Sequence, residues 1–306
     1  MDITEYLFRD KKEILNYFRR KSEIKYNEIQ NSHIISDQKK NASIINRDIA
    51  CISSNLKSAI INASSKWSKN NLLNNILMIT YCSYVVMIEY RNKVWPYEYM
   101  TFSRRIGELW DPFCRICFEN TVRENLQMVS PKKFEEVAMD LKQEMNDYLN
   151  TMAINNEEKY KLLDLYEKVW SLLTSGEIKL ELDLHFKKDD IYYHVDFKSG
   201  FQSNEKGNTN RLLLVANIYK NILKTKNKCL LFVRSNECDN NHYLKTLINS
   251  NLWDVYCGND TYEKIYEFTG FNLKDWISQY IHWDEDFTAE TYKYLIDNNL
   301  TKYLTW

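Results

Sequence analysis

The stretch Ile191–Gly200, IYYHVDFKSG, reads as a strand of a sheet interior, yet it carries an acid and a base, Asp196 and Lys198, with one residue between them. Strand side chains alternate between faces, so Asp196 and Lys198 share a face, and His194 joins them by parity. Just upstream, EIKLELDLHF (177–186) alternates in the same way. It sends Leu180, Leu182, Leu184 and Phe186 to one side and Glu181, Asp183 and His185 to the other. The polar run KKDD (187–190) makes the turn between them, so the two stretches are expected to form a hairpin.

Beyond the hairpin the pattern changes period. SGFQSNEKGNTN (199–210) reads as a Gly- and Asn-rich loop and RLLLVANIYKNIL (211–223) as an amphipathic helix. KCLLFVR (228–234) is a third strand, its near-continuous apolar run suited to cover on both faces. A helix around 241–250 and a fourth strand, WDVYCG (253–258), follow. The order β-β-α-β-α-β predicts a mixed α/β (α+β) core.

Before Gly176 the spacing is helical almost throughout. Ile3, Leu7, Ile14, Leu15 and Phe18 form an amphipathic start, and 31–68 reads as helix interrupted by loop. A core helix over 70–93 is broken by Pro96, and Ser103 is placed to cap the next one. Phe134, Val137, Leu141 and Met145 stripe the tract 133–174, with a second segment from Glu157 to Leu173. The expected division is a largely helical half, 1–175, and a mixed-sheet half, 176–306.

Composition excludes several classes. With 41 basic and 42 acidic side chains the net charge is −1, so any polyanion must be held by a local basic surface. Seven scattered cysteines fit a reduced, cytoplasmic protein better than a disulfide framework. The N-terminus alternates charged and apolar residues, unlike a secretory signal, and ILMITYCSYVVMIEY (76–90) is too short to span a bilayer and reads as a buried helix. Six glycines and three prolines leave few tight turns, which favours helices over an all-β fold. No phosphate-binding or dinucleotide Gly motif, G-x-S-x-G or H-E-x-x-H occurs.

If the hairpin pairs in the register its turn suggests, Asp183, Asp196 and Lys198 converge. Charges crowded on a sheet face are costly unless bridged, and a divalent cation between two carboxylates is one solution. Oxygen ligands favour Mg²⁺, with Mn²⁺ as a substitute, over zinc. The ammonium would orient a metal-held water or stabilise the charge of a pentacovalent phosphorane, the chemistry of phosphodiester hydrolysis. The same spacing also fits two solvent-facing aspartates with Lys198 in a surface ion pair.

LELDLHF, a short polar turn, YYHVDFKSG, a helix and an apolar strand together resemble the PD-(D/E)xK nuclease superfamily, especially its type II restriction endonucleases. The resemblance spans roughly 176–257, with Asp183 and Asp196 thirteen residues apart; Leu182 stands where the family's Pro would precede the first Asp. It implies a restriction-endonuclease-like mixed sheet flanked by helices, with Asp183 and Asp196 on Mg²⁺ and Lys198 at the water. Many members add a Glu from a preceding helix. Glu108 in FSRRIGELWDPFCRICFE is the candidate for that metal and catalytic position, with Glu181 as its rival.

The polyanion-binding groups expected around this centre are Arg104, Arg105, Ser203, Asn204, Lys206, Asn208, Asn210 and Arg211. Asn208, Thr209 and Asn210 are equally able to cap the following helix. His185 and His194 read as satisfied structural histidines, and Cys114 and Cys117 as buried thiols. The resulting expectation is a Mg²⁺-dependent, site-specific double-stranded DNA endonuclease. It would act as a homodimer and be accompanied by a DNA methyltransferase for the same site, with the helical half giving dimer contacts, base readout or both. Competing readings are a nuclease of the same core in repair, recombination or antiviral defence, and a catalytically inactive nucleic-acid-binding module. Register decides, because a one-residue slip puts Asp183 on the opposite face.

Overall fold

A computed structural model describes residues 10–31, 37–63, 67–173, 178–202 and 205–306. The chain is mixed α/β, with one five-stranded sheet among many helices. It forms two units, Met1–Glu124 with Gly258–Trp306, and Asn125–Cys257. The helices of 134–173 therefore group with the sheet and the C-terminal helices with the N-terminal ones, where the sequence placed a single boundary near 175.

The helical unit contains α1 (Lys11–Asn31), α2 (Gln38–Ala63), α3 (Lys69–Val94) and α4 (Tyr99–Glu119). Ile14, Leu15 and Phe18 are buried on α1 as their spacing predicts, whereas Ile3 and Leu7 lie outside the described residues. Helix α3 is long and apolar enough to cross a membrane by length and composition, and 72% of its apolar window is buried within the protein. It serves as a core helix. Its buried Glu89 accepts two bonds from the Arg19 guanidinium, at 3.0 and 2.7 Å, so the charge is paired. Helix α4 begins five residues earlier than a Ser103 cap would have it. Glu98 is its N-cap, with Thr101 returning the reciprocal bond, and Ser103 lies within the helix.

In the other unit the strands are β1 (Leu126–Met128), β2 (Leu184–Lys188), β3 (Ile191–Lys198), β4 (Asn227–Val233) and β5 (Asp254–Cys257), neighbours in that order. β1, β2 and β3 are antiparallel; β3, β4 and β5 are parallel. The three-residue β1 was not anticipated, because so short a run has no readable period. Helices α5 (Phe134–Thr151) and α6 (Asn156–Leu173) precede β2. Helix α7 (Lys206–Asn217) continues as a π-turn through Ile222, and α8 (His242–Asn249) precedes β5.

From Cys229 to Val233 every β4 residue is buried, as the apolar run requires for a strand covered on both faces. One face carries Cys229, Leu231 and Val233 against Leu212, Val215 and Tyr219 of the α7 segment and Leu244 of α8. The other carries Val195, Phe197, Leu230 and Phe232.

Candidate active site

The hairpin turn sets the geometry. Lys188 pairs with Ile191, leaving Asp189 and Asp190 as a two-residue loop with φ of 49° and 60°. Positive φ at both positions gives the turn whose twist matches the flanking strands, and Asp tolerates that conformation better than most residues. The register that follows pairs His185 with His194 and Leu184 with Val195. Asp183 immediately precedes the paired residues, and Asp196 lies on the β3 face that packs beneath α7.

β2 does not extend back to residue 177 as the alternation suggested. It begins at Leu184, and the break is stabilised by side chains. The Leu182 amide donates to His185 Nε2 at 2.9 Å, and Asp183 Oδ2 accepts the Phe197 amide at 2.7 Å. A carboxylate thus takes the bond that a continued ladder would have given to a β2 carbonyl. Leu180 and Leu182 consequently join the core beneath α7, although Leu184 and Phe186 pack on the opposite face, where Phe186 stacks on Tyr193 at 4.9 Å. Phe197 directs its amide toward the β2 edge, and its carbonyl, which a strand sends the same way, also accepts from Lys198 Nζ at 3.3 Å.

Asp196 is only 2% exposed and forms an ion pair with Lys198. This burial overturns the reading of Asp196 as solvent-facing in a surface ion pair, while Asp183 is half-buried. Burial pushes the Asp196 carboxyl up to about 6; Lys198 opposes the shift, and Asp183 reinforces it by like-charge repulsion. Burial also works against the Lys198 ammonium, but Asp196 and Asp183 outweigh it and hold its pKa above the ordinary lysine value. Arg211, which acts electrostatically on both, donates through Nη2 to the Glu181 carbonyl at 3.2 Å. Among the described residues its Nη1 is buried without a hydrogen-bond partner.

The structure thus brings Asp183, Asp196, Lys198 and Arg211 together. Glu181 is exposed and contributes its carbonyl to Arg211. Glu108 stands on α4 in the helical unit, its carboxylate paired with Arg104 at 3.1 Å and Arg105 at 3.3 Å. Lys206, Asn208, Asn210 and Arg211 were expected in or beside a loop, yet they form the first two turns of α7, with Asn208 donating to Glu205 at 3.1 Å. Ser203 and Asn204 lie outside the described residues. Cys114 and Cys117 are buried in α4, where burial pushes the Cys117 thiol up. The histidines are buried and bonded to each other, His185 Nδ1 to His194 Nδ1 at 2.8 Å. Burial lowers His194 to about 4, so it is neutral at physiological pH.

The donors at the centre are all oxygens, two carboxylates and the Phe197 carbonyl that sequence reasoning did not single out. They suit a hard divalent cation better than zinc. Among the described residues no group of three or more His, Cys, Asp or Glu side chains is placed to hold a metal. A cation here would rest on Asp183 and Asp196, with water and substrate oxygens completing its shell, as is common for Mg²⁺.

No family model, curated protein or solved structure matches the chain.

Proposed function

We propose that the protein is a Mg²⁺-dependent endonuclease hydrolysing DNA phosphodiesters, and specifically a site-specific enzyme of the type II restriction class. The observation that carries this reading is the meeting of Asp183 with the stretch Asp196–Lys198 of β3. Asp183 takes the Phe197 amide at 2.7 Å and acts electrostatically on both Asp196 and Lys198, with Asp196 buried and pushed toward neutrality. A buried acid with a raised pKa beside a second acid and a lysine is a costly arrangement that a structural role does not require. A bound cation would supply Lewis-acid polarisation of the phosphoryl oxygen and a more acidic water.

The protein's own groups do the rest. Asp183 and Asp196 provide negative charge at a position fixed by the sheet. Lys198, held against Asp196, orients water or offsets charge developing on a phosphorane oxygen. The Nη1 of Arg211, which has no partner among the described residues, offers a donor to a phosphate oxygen. Sequence specificity and a homodimer with two such centres belong to this proposal, since a duplex has two strands to cut.

The test is cleavage of plasmid and phage DNA by the full chain with Mg²⁺ or EDTA, followed by sequencing of the ends. Discrete fragments in Mg²⁺ alone, lost in Asp196→Ala while DNA is still bound in Ca²⁺, are the expected result. Nicking or smearing would reduce the assignment to a nuclease with another task. Full cleavage by Asp196→Ala, or none by the wild type, would remove it.

A further inference from the structure

We infer that His185 is a positioning residue, and that a polar chain from Asn227 through His194 to His185 holds the backbone at Asp183 in place. This rests on the reading of Asp183 as part of the centre. Each link has a direction that geometry assigns. The Leu182 amide is a donor only, so His185 Nε2, 2.9 Å away, is the unprotonated nitrogen of its ring. The proton of neutral His185 is then on Nδ1, which donates to His194 Nδ1 at 2.8 Å. His194 therefore carries its proton on Nε2 and donates to Asn227 Oδ1 at 3.0 Å. Asn227 is oriented for this by its amide nitrogen, which donates to the Thr225 carbonyl at 2.7 Å and hydroxyl at 2.9 Å.

The chain begins at a pocket edge, where Asn227 and Thr225 line a cavity of about 270 Å³, and ends one residue before Asp183. Its middle is rigid: both imidazoles are buried, and His194 stacks on Tyr219 at 3.5 Å between ring centroids. The effect falls where β2 departs from the ladder. Without an acceptor for the Leu182 amide, nothing in the strand pairing fixes residues 182 and 183, and the 2.7 Å bond from Phe197 to Asp183 depends on that placement. Groups that orient metal-binding or reacting side chains in this way typically change metal affinity or activity ten- to hundredfold when removed.

The experiment compares wild type, His185→Leu, His185→Gln and Asn227→Ala, all full-length. ¹⁵N-phenylalanine labelling reports exchange of the Phe197 amide, and Mg²⁺ titration of DNA cleavage reports the midpoint, with KM for DNA measured alongside. In His185→Leu, Phe197 exchange should rise tenfold or more and the Mg²⁺ midpoint should rise roughly tenfold or more, with KM for DNA within about threefold. His185→Gln, whose amide oxygen reaches where Nε2 lay, should restore most of both. If His185→Leu does not fold, Asn227→Ala carries the test, with smaller shifts in the same direction. Unchanged Phe197 exchange overturns the inference, and so does an unchanged Mg²⁺ midpoint in an active enzyme. A wild type that never cleaves, with Phe197 exchange still responding to His185→Leu, would sink the nuclease reading and leave the positioning role intact.

Discussion

Asp183 accepts the backbone amide of Phe197 at 2.7 Å, so a side chain of the strand's leading bend closes the ladder that the strand itself no longer reaches. The bond ties the two acidic positions of the hairpin together, because Phe197 is the residue between Asp196 and Lys198. It also separates two roles of Asp183 that mutation can resolve.

Asp183→Asn keeps an oxygen for the Phe197 amide and loses the charge. Its stability in urea should stay within about 1 kcal/mol of wild type while metal-dependent cleavage falls by about two orders of magnitude or more. Asp183→Ala also strands the amide and should cost roughly 1–3 kcal/mol. Equal stability of the two variants would show that the bond contributes nothing.

The metal-free protein should lose stability as pH rises from about 4 to 6. The Asp196 carboxyl is raised to about 6, so in this window the folded state binds more protons than the unfolded one, and stability falls with pH. A shift of this size corresponds to up to about 3 kcal/mol. Asp196→Asn should flatten that part of a denaturation-versus-pH series.

Mg²⁺ and a proton should compete for Asp196. Below pH 6 the Mg²⁺ concentration for half-maximal cleavage is expected to rise by about tenfold per pH unit, since binding requires the ionised carboxylate. A pH-independent midpoint would place the cation elsewhere.

Removing the ammonium should cost more at high pH than at low. Lys198→Met leaves Asp196 buried and unpaired, and should destabilise the protein by about 3–5 kcal/mol at pH 8. At pH 5, where Asp196 is protonated, the loss should be much smaller. Thermal melts at the two values decide it.

The turn offers an independent check on register. Asp190, at φ 60°, lies in the left-handed region, so Asp190→Gly should stabilise or leave the fold unchanged, by up to about 1 kcal/mol. Asp190→Val should destabilise by roughly 1–2 kcal/mol because its β-branched side chain resists that conformation. The reverse order in urea melts would mean a different turn.

Local pattern determined a good part of this protein. Alternation put Asp196 and Lys198 on one face, where they form an ion pair; the polar run KKDD marked the turn; and the apolar run of β4 announced a strand covered on both sides. These follow from the two-residue repeat of a strand, which neighbours in sequence suffice to express. Tertiary structure decided what distant groups impose. The alternation from Leu180 to Phe186 looked continuous, but His185 and Asp183 capture two amides and break it at Asp183. Lys206 to Asn210 looked like loop because Gly and Asn are weak helix formers, and packing of Thr209 and Leu212 made them helix. The burial that raises Asp196, the direction of the histidine chain, and the grouping of residues 258–306 with the N-terminal helices all depend on elements far apart in the chain. No local period encodes which side chain will exclude water from which carboxylate.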